Sequence, residues 1–205
     1  MFITFEGIDF CGKSTQIELL KNYLLNNDKK VEVIREPGGT EISEKIRTVL
    51  LDKENSKMIM ETEFLLFAAS RAQLVREKIR PYLEKGIYVI SDRFHDSSTA
   101  YQGYGRGIPV EIILNIHKLA IGNTVPDITF FIDIPVEIAE QRGKLKSVEH
   151  LDRIENSDTE FYERVRQGYL VLAENEDRFR TINGNEDIET IHRRIISEIN
   201  KIEQR

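Results

Sequence analysis

The chain has a single cysteine, Cys11, so no internal disulfide can form and stability must come from a packed core. No apolar run approaches the ~18 residues that a membrane-spanning helix needs. The N-terminus has neither the basic start nor the apolar stretch of a secretory signal. A basic excess is missing too: 29 Lys and Arg stand against 35 Asp and Glu, for a net charge of −6. That balance runs against a chain whose main partner is a nucleic acid, which usually displays a basic stripe. It leaves room for a small anion held by a few local cations. Internal repeats, low-complexity tracts and Pro/Gly-rich linkers are absent as well. The expectation is one domain over residues 1–205, in the cytoplasm, with no membrane and no nucleic-acid partner.

What the chain does contain is alternation. Phe2-Ile3-Thr4-Phe5, Val31-Glu32-Val33-Ile34, Ile87-Tyr88-Val89-Ile90 and Ile128-Thr129-Phe130-Phe131-Ile132 read as buried strands, and 178–182 as a weaker fifth. Helical periodicity fills 14–27, 41–51, 58–85, 109–121, 135–141, 159–175 and 187–202. Pro81 either starts a new helix or kinks the long third one. Strands alternating with helices predict an α/β fold with a parallel sheet covered on both faces. The stretch at about 142–158 has little apolar periodicity and many charges. It reads as a solvated loop or as a mobile lid closing over a ligand.

Gly7-Ile8-Asp9-Phe10-Cys11-Gly12-Lys13-Ser14 matches G-x-x-x-x-G-K-[ST] between a strand and a helix. Backbone N–H groups must converge on phosphate oxygens there, which demands unusual dihedrals and little bulk, hence glycine. Lys13 brings a compact positive charge for the outer phosphates, Ser14 a hydroxyl for Mg²⁺, and the following helix its positive dipole end. Phe10 is bulky for such a loop. Cys11 reads as a passive small residue or as a thiol activated near a helix N-terminus. The guanine-reading N-K-x-D of a signalling GTPase is absent.

Two further groupings point to a small-molecule kinase. Arg35-Glu36-Pro37-Gly38-Gly39-Thr40 follows the second strand and Ser91-Asp92-Arg93 the third, at the strand ends where ligands bind in open parallel sheets. Asp92 can order the water shell of Mg²⁺, and Arg35 and Arg93 can clamp phosphate. Taken singly, these are also a plain turn and a local ion pair. On the third helix Phe67 and Arg71 are neighbours at i and i+4. Phe67 is either core or a stacking ring, whereas a charge such as Arg71 at the edge of an apolar face needs a partner. Ser98, Tyr101 and Gln102 share one face if 97–103 is helical.

Phe5-Glu6-Gly7-Ile8-Asp9, Gly12-Lys13-Ser14-Thr15, Arg35-Glu36-Pro37-Gly38-Gly39-Thr40, Phe67-Ala68-Ala69-Ser70-Arg71, Asp92-Arg93-Phe94 and Asp96-Ser97-Ser98-Thr99-Ala100-Tyr101-Gln102-Gly103 occur in that order. Together they give the chain a resemblance to the thymidylate kinase family over essentially its whole length. The resemblance implies a P-loop NTPase fold with a five-stranded parallel sheet in the order 2-3-1-4-5, flanked by helices, with a mobile lid. It implies ATP-dependent, Mg²⁺-assisted conversion of dTMP to dTDP by a homodimer. ATP would lie on Gly7, Ile8, Asp9, Phe10, Cys11, Gly12, Lys13, Ser14 and Thr15, beside Arg142. Phe67 would stack on thymine, with Arg71 and Gln102 on its edge and Tyr101 under the sugar. Asp9 would sit near the sugar 3′-hydroxyl and the metal. Arg35 and Arg93 would hold the acceptor phosphate, with Arg47 and Ser98 as further substrate contacts. Ser14, Asp92 and Glu36 would serve the metal.

Phe10 departs from the family pattern, which has arginine or glycine there. The lid is therefore expected to supply the catalytic arginine, Arg153 first and then Arg142 or Lys144, making Lys13, Arg93, Arg153 and Asp9 the catalytic set. In-line transfer needs no general base, because a phosphate monoester with a second pKa near ~6 is already largely anionic at neutral pH. Two alternatives remain: a kinase of another nucleotide or nucleoside, and, in a different class, a nucleotide-dependent switch protein.

Overall fold

The order of elements follows from how buried the strand residues are. Strand β1 (Phe2–Glu6) is buried along its whole length, as a central strand covered on both faces must be. In the computed structural model, which describes residues 1–144, 153–154 and 158–204, β1 lies between β3 (Tyr88–Asp92) and β4 (Ile128–Asp133). Strand β2 (Val31–Arg35) pairs outside β3, and β5 (Phe179–Asn183) outside β4. All pairings are parallel and the order is β2-β3-β1-β4-β5. Register brings Phe5, Asp92 and Arg35 side by side at the carboxyl ends of β1, β3 and β2. The phosphate loop, Glu36 and Arg93 therefore leave the sheet together.

Edge position corrects one expectation. Of the β2 run read as buried, Ile34 alone is buried; Glu32 and Val33 are exposed. A charged edge strand resists pairing with another chain.

Helices α1 (Lys13–Asn26), α2 (Glu41–Leu51) and α3 (Met60–Leu74) match the periodicity. α3 runs through a π-helical turn (Val75–Ile79) into α4 (Arg80–Glu84). The turn precedes Pro81, which has no N–H to donate into a regular α-helix. A short α5 (His95–Ser98) continues as π-helical turns over Thr99–Gly105, so 97–103 is helical, with Ser98, Tyr101 and Gln102 buried. Then come α6 (Val110–Ile121), α7 (Val136–Lys144), α8 (Thr159–Asn175) and α9 (Ile188–Glu203).

Thr40, Asp158 and Asp187 cap α2, α8 and α9 by accepting from Ser43, Phe161 and Thr190 N–H. Gly12, which precedes α1, makes no such side-chain cap, which leaves the first amides of α1 for an anion. Residues 142–144, expected in the lid, extend helix α7 instead. Most of the remaining lid, 145–152 and 155–157, lies outside the described residues. Among the described residues no helix is long and apolar enough to cross a membrane.

Candidate active site

The phosphate loop connects β1 to α1 through three left-handed residues: Gly7 at φ 139°, Phe10 at φ 63° and Gly12 at φ 105°. A Cβ on Gly7 would come within 2.6 Å of the Ile132 carbonyl oxygen, so close backbone approach as well as dihedral freedom requires glycine there. Lys13 Nζ folds back over the loop and donates to Gly7 O (3.1 Å) and Ile8 O (3.0 Å). Cys11 is buried, with Sγ 3.6 Å from Lys13 Nζ. Ser14 and Thr15 line the adjoining cavity of about 470 Å³.

Phe10, the residue that sequence left without a place, packs on Gly143 of α7. A Cβ on Gly143 would meet the Phe10 ring at 2.9 Å. One residue earlier, Arg142 donates to Phe10 O (3.4 Å), Cys11 O (3.3 Å) and Gly184 O (3.0 Å). Ring and guanidinium together tie α7 to the phosphate loop. Nothing in the sequence marks Gly143, because a glycine that receives a ring resembles any other helical glycine.

Arg93 occupies the centre at a left-handed φ of 69°. Its guanidinium donates to Gly7 O (2.9 Å), Asp9 Oδ1 (2.6 Å), Tyr101 OH (3.0 Å), Ser97 Oγ (3.2 Å) and Tyr169 OH (3.2 Å). Asp9 also accepts from the Tyr101 and Tyr162 hydroxyls at 3.1 and 3.2 Å. Burial alone would raise the Asp9 carboxyl, but the Arg93 and Lys13 cations outweigh it and hold it below its ordinary pKa.

Behind Arg93 lies a second layer that sequence reading did not pick out. Glu6 accepts from Phe94 N (2.7 Å), Ser97 Oγ (2.6 Å) and Tyr169 OH (2.8 Å). Burial, reinforced by the Asp96 charge, pushes Glu6 up to about 7. Asp96 in turn holds Arg178 through two bonds of 2.7 and 2.8 Å. Glu6 and Asp96 fall inside the motifs quoted above, so that position was the available signal.

Phe67, Arg71, Ser98 and Gln102 line the same cavity from the other side. Arg71 Nε is 2.6 Å from Glu36 Oε2 in a pair only 1% and 3% exposed, and Arg71 donates again to Phe94 O at 3.1 Å. Burial raises the Glu36 carboxyl to about 7 against the pull of Arg71. Three buried polar atoms on this wall have no partner: Arg71 Nη1, Glu36 Oε1 and Ser98 Oγ. Buried groups are normally satisfied, so three orphans on one cavity wall mark the place of a polar ligand. Arg35 and Arg47 both donate to Pro37 O, at 3.2 and 2.8 Å, and line the same cavity with Asp92.

Arg153 stands apart from these residues. It is not among the cavity-lining residues. Its guanidinium lies 2.7 Å from Glu63 Oε2, and its Nε donates to Leu50 O at 2.9 Å. In this arrangement the first-choice lid arginine lies against Glu63 and Leu50, while Arg142 is the one at the phosphate loop. Lys144 ends α7. Glu63 was missed as well. It is 2% exposed and also receives Gln102 Nε2 (3.0 Å) and Arg106 Nε (3.3 Å).

A glycine-rich loop entering a helix beside an arginine-rich second pocket, at the strand ends of a 2-3-1-4-5 parallel sheet, defines a phosphate-loop kinase of small nucleotides. The family model for thymidylate kinase matches residues 5–195. A thymidylate kinase of Thermosipho africanus is 50% identical over 201 residues, covering 98% of both chains. That of Kosmotoga olearia is 48% identical over 199 residues, covering 97% of this chain and 94% of its own. The crystal structure of thymidylate kinase from Ehrlichia chaffeensis superimposes with a TM-score of 0.77 at 37% identity, covering 97% and 98% of the two chains. The chain belongs to the thymidylate kinase family.

Proposed function

We propose that this protein transfers the γ-phosphoryl group of ATP in line to a phosphate oxygen of dTMP, giving dTDP and ADP. The observation that carries the reading is the wall of orphaned polar atoms, Arg71 Nη1, Glu36 Oε1 and Ser98 Oγ, in a cavity continuous with Lys13, Ser14 and Thr15. Triphosphate and acceptor thus have adjoining seats. Arg142 serves the ATP side. Arg35, Arg47 and Arg93 serve the acceptor phosphate, and Asp9 and Tyr101 its sugar.

The residues present fit Mg²⁺. Ser14 and Asp92 offer oxygen atoms on the cavity wall, and no group of three acidic, His or Cys side chains forms a protein cage among the described residues. Mg²⁺ commonly keeps phosphate and water ligands beside one or two from protein. Glu36 fits direct ligation less well, with one oxygen held by Arg71. When bound, the ion would neutralise charge on the triphosphate.

A homodimer fits Leu65 of α3 and Ile112 and Leu119 of α6, all exposed, Leu119 by 77%. Sedimentation at micromolar concentration tests that assembly.

The function is tested by following ADP from ATP and Mg²⁺ with and without dTMP. Formation should depend on dTMP and produce dTDP. Slow hydrolysis indifferent to every nucleoside monophosphate would overturn the reading in favour of a switch. Phe67, half-buried on the cavity wall, should act mainly on the base. Phe67→Ala is expected to raise KM for dTMP about 10- to 100-fold, the range of a lost base–aromatic stack, with KM for ATP unchanged. An unaltered KM for dTMP would return the ring to the core.

A further inference from the structure

We infer that Glu63 is a specificity-determining positioning residue. By holding the Gln102 side-chain amide in one orientation, it makes the acceptor pocket complementary to thymine and hostile to cytosine. The inference rests on the acceptor reading above and deepens it.

An amide side chain can be turned either way, and its two ends are hard to tell apart by shape. A carboxylate settles the matter, because it only accepts. Gln102 Nε2 lies 3.0 Å from Glu63 Oε1, so the nitrogen end is committed to Glu63 and Oε1 is the end left over. Among the described residues Gln102 Oε1 accepts no hydrogen bond, and Gln102 lines the cavity. Arg71 is committed in the same way. Its Nε is on Glu36 and its Nη2 on Phe94 O, which leaves Nη1 as the unpartnered donor. Two buried carboxylates, Glu36 and Glu63, thus leave Arg71 a free donor and Gln102 a free acceptor.

Thymine presents the matching pair on its edge, the O4 acceptor beside the N3–H donor. Cytosine presents the reverse, an N4–H donor beside an N3 acceptor. With Gln102 fixed, thymine satisfies both readers. Cytosine sets acceptor against acceptor and donor against donor, and the readers stay buried and unpaired. Glu63 itself is fixed from two other directions, by Arg106 Nε at 3.3 Å and Arg153 at 2.7 Å. Two hydrogen-bond donors and one ion-paired guanidinium therefore converge on one carboxylate.

Glu63→Gln is the informative change. The new amide has one accepting oxygen for those three partners, and its NH₂ group must face something. Facing Gln102, it draws the Gln102 oxygen inward and turns the Gln102 NH₂ toward the base. The ratio of kcat/KM for dTMP to that for dCMP is expected to fall about 10- to 100-fold, the cost of one mispaired buried group. KM for ATP should stay unchanged. A merely structural role would scale both acceptors alike and leave the ratio alone. A ratio within about twofold of wild type, well inside that interval, overturns the inference.

A wild-type crystal structure with dTMP tests it even if the variant does not fold. Gln102 should contact base N3 with one end and Glu63 with the other, and a Gln102 turned away from Glu63 or from the base overturns the proposal. If the wild-type enzyme phosphorylates dTMP but the ratio is unmoved, the Glu63 inference alone fails. If the wild type does not use dTMP, the acceptor reading fails first.

Discussion

Lys13→Ala is expected to reduce turnover by about a thousandfold or more while the fold survives. At ~4 Å and an effective dielectric of ~20, one charge pair is worth about 4 kcal/mol, or roughly three powers of ten in rate. Among the described residues Lys13 is the one lysine on the wall of the cavity. Its present contacts explain why the fold should survive. Nζ donates to the Gly7 and Ile8 carbonyls, and Gly7 O keeps a second donor in Arg93. The side chain bridges its own loop and can exchange those carbonyls for phosphate oxygens. A coupled assay at saturating ATP and dTMP, with a thermal melt of the same sample, reads both halves. Turnover within tenfold of wild type, or a melt that collapses with activity, would remove Lys13 from the chemistry.

How much of this was legible in the sequence depended on the range of each signal. The phosphate loop is contiguous, its residue types follow from what a phosphate needs, and the observed loop has glycine at two of its three left-handed positions. Strands β1 and β4 are continuous apolar runs and were readable as buried. β2 has a similar run but lies at an edge, and edge position is a property of the sheet rather than of the segment. Glu63 shows the opposite limit. Its partners Gln102, Arg106 and Arg153 lie 39, 43 and 90 positions away, and a buried carboxylate in a helix has the same letters as a solvated one. Phe10 was noticed because it broke a pattern, but its counterpart Gly143 breaks none. Arg153 was expected at the reaction because Phe10 stands where the family has arginine or glycine, and only the fold shows its contact with Glu63.

Arg93 carries the second large expected effect, and the comparison of Arg93→Ala with Arg93→Lys gives it content. Holding a non-glycine residue at φ 69° costs about 1–3 kcal/mol, so the surroundings must over-determine this side chain. Five donated bonds do so, reaching the phosphate loop, Asp9, Tyr101, Ser97 and helix α8 through Tyr169. Arg93→Ala removes the ion-pair partner of Asp9 and should destabilise by up to about 3 kcal/mol, the low end for breaking a buried pair, because both partners keep some solvent. Arg93→Lys keeps the charge but has one nitrogen for five acceptors, so it should recover part of the stability and little of the activity. Both variants are expected to lose about 10²- to 10³-fold in kcat/KM, as when a preorganised charge stabiliser is removed.

The pH dependence separates a lost charge from general damage. Asp9 is held below its ordinary pKa of 3.8 by Arg93 and Lys13. A lowered carboxyl contributes stability that is present above the unfolded pKa and lost as pH falls through the folded one. Removing Arg93 cancels much of that contribution. The gap in melting temperature between wild type and Arg93→Ala should therefore be full above about pH 4 and narrow below it, with Arg93→Lys in between. A gap that stays constant from pH 7 to pH 3 would mean that Arg93 holds the site by packing alone and that its charge does not set the state of Asp9.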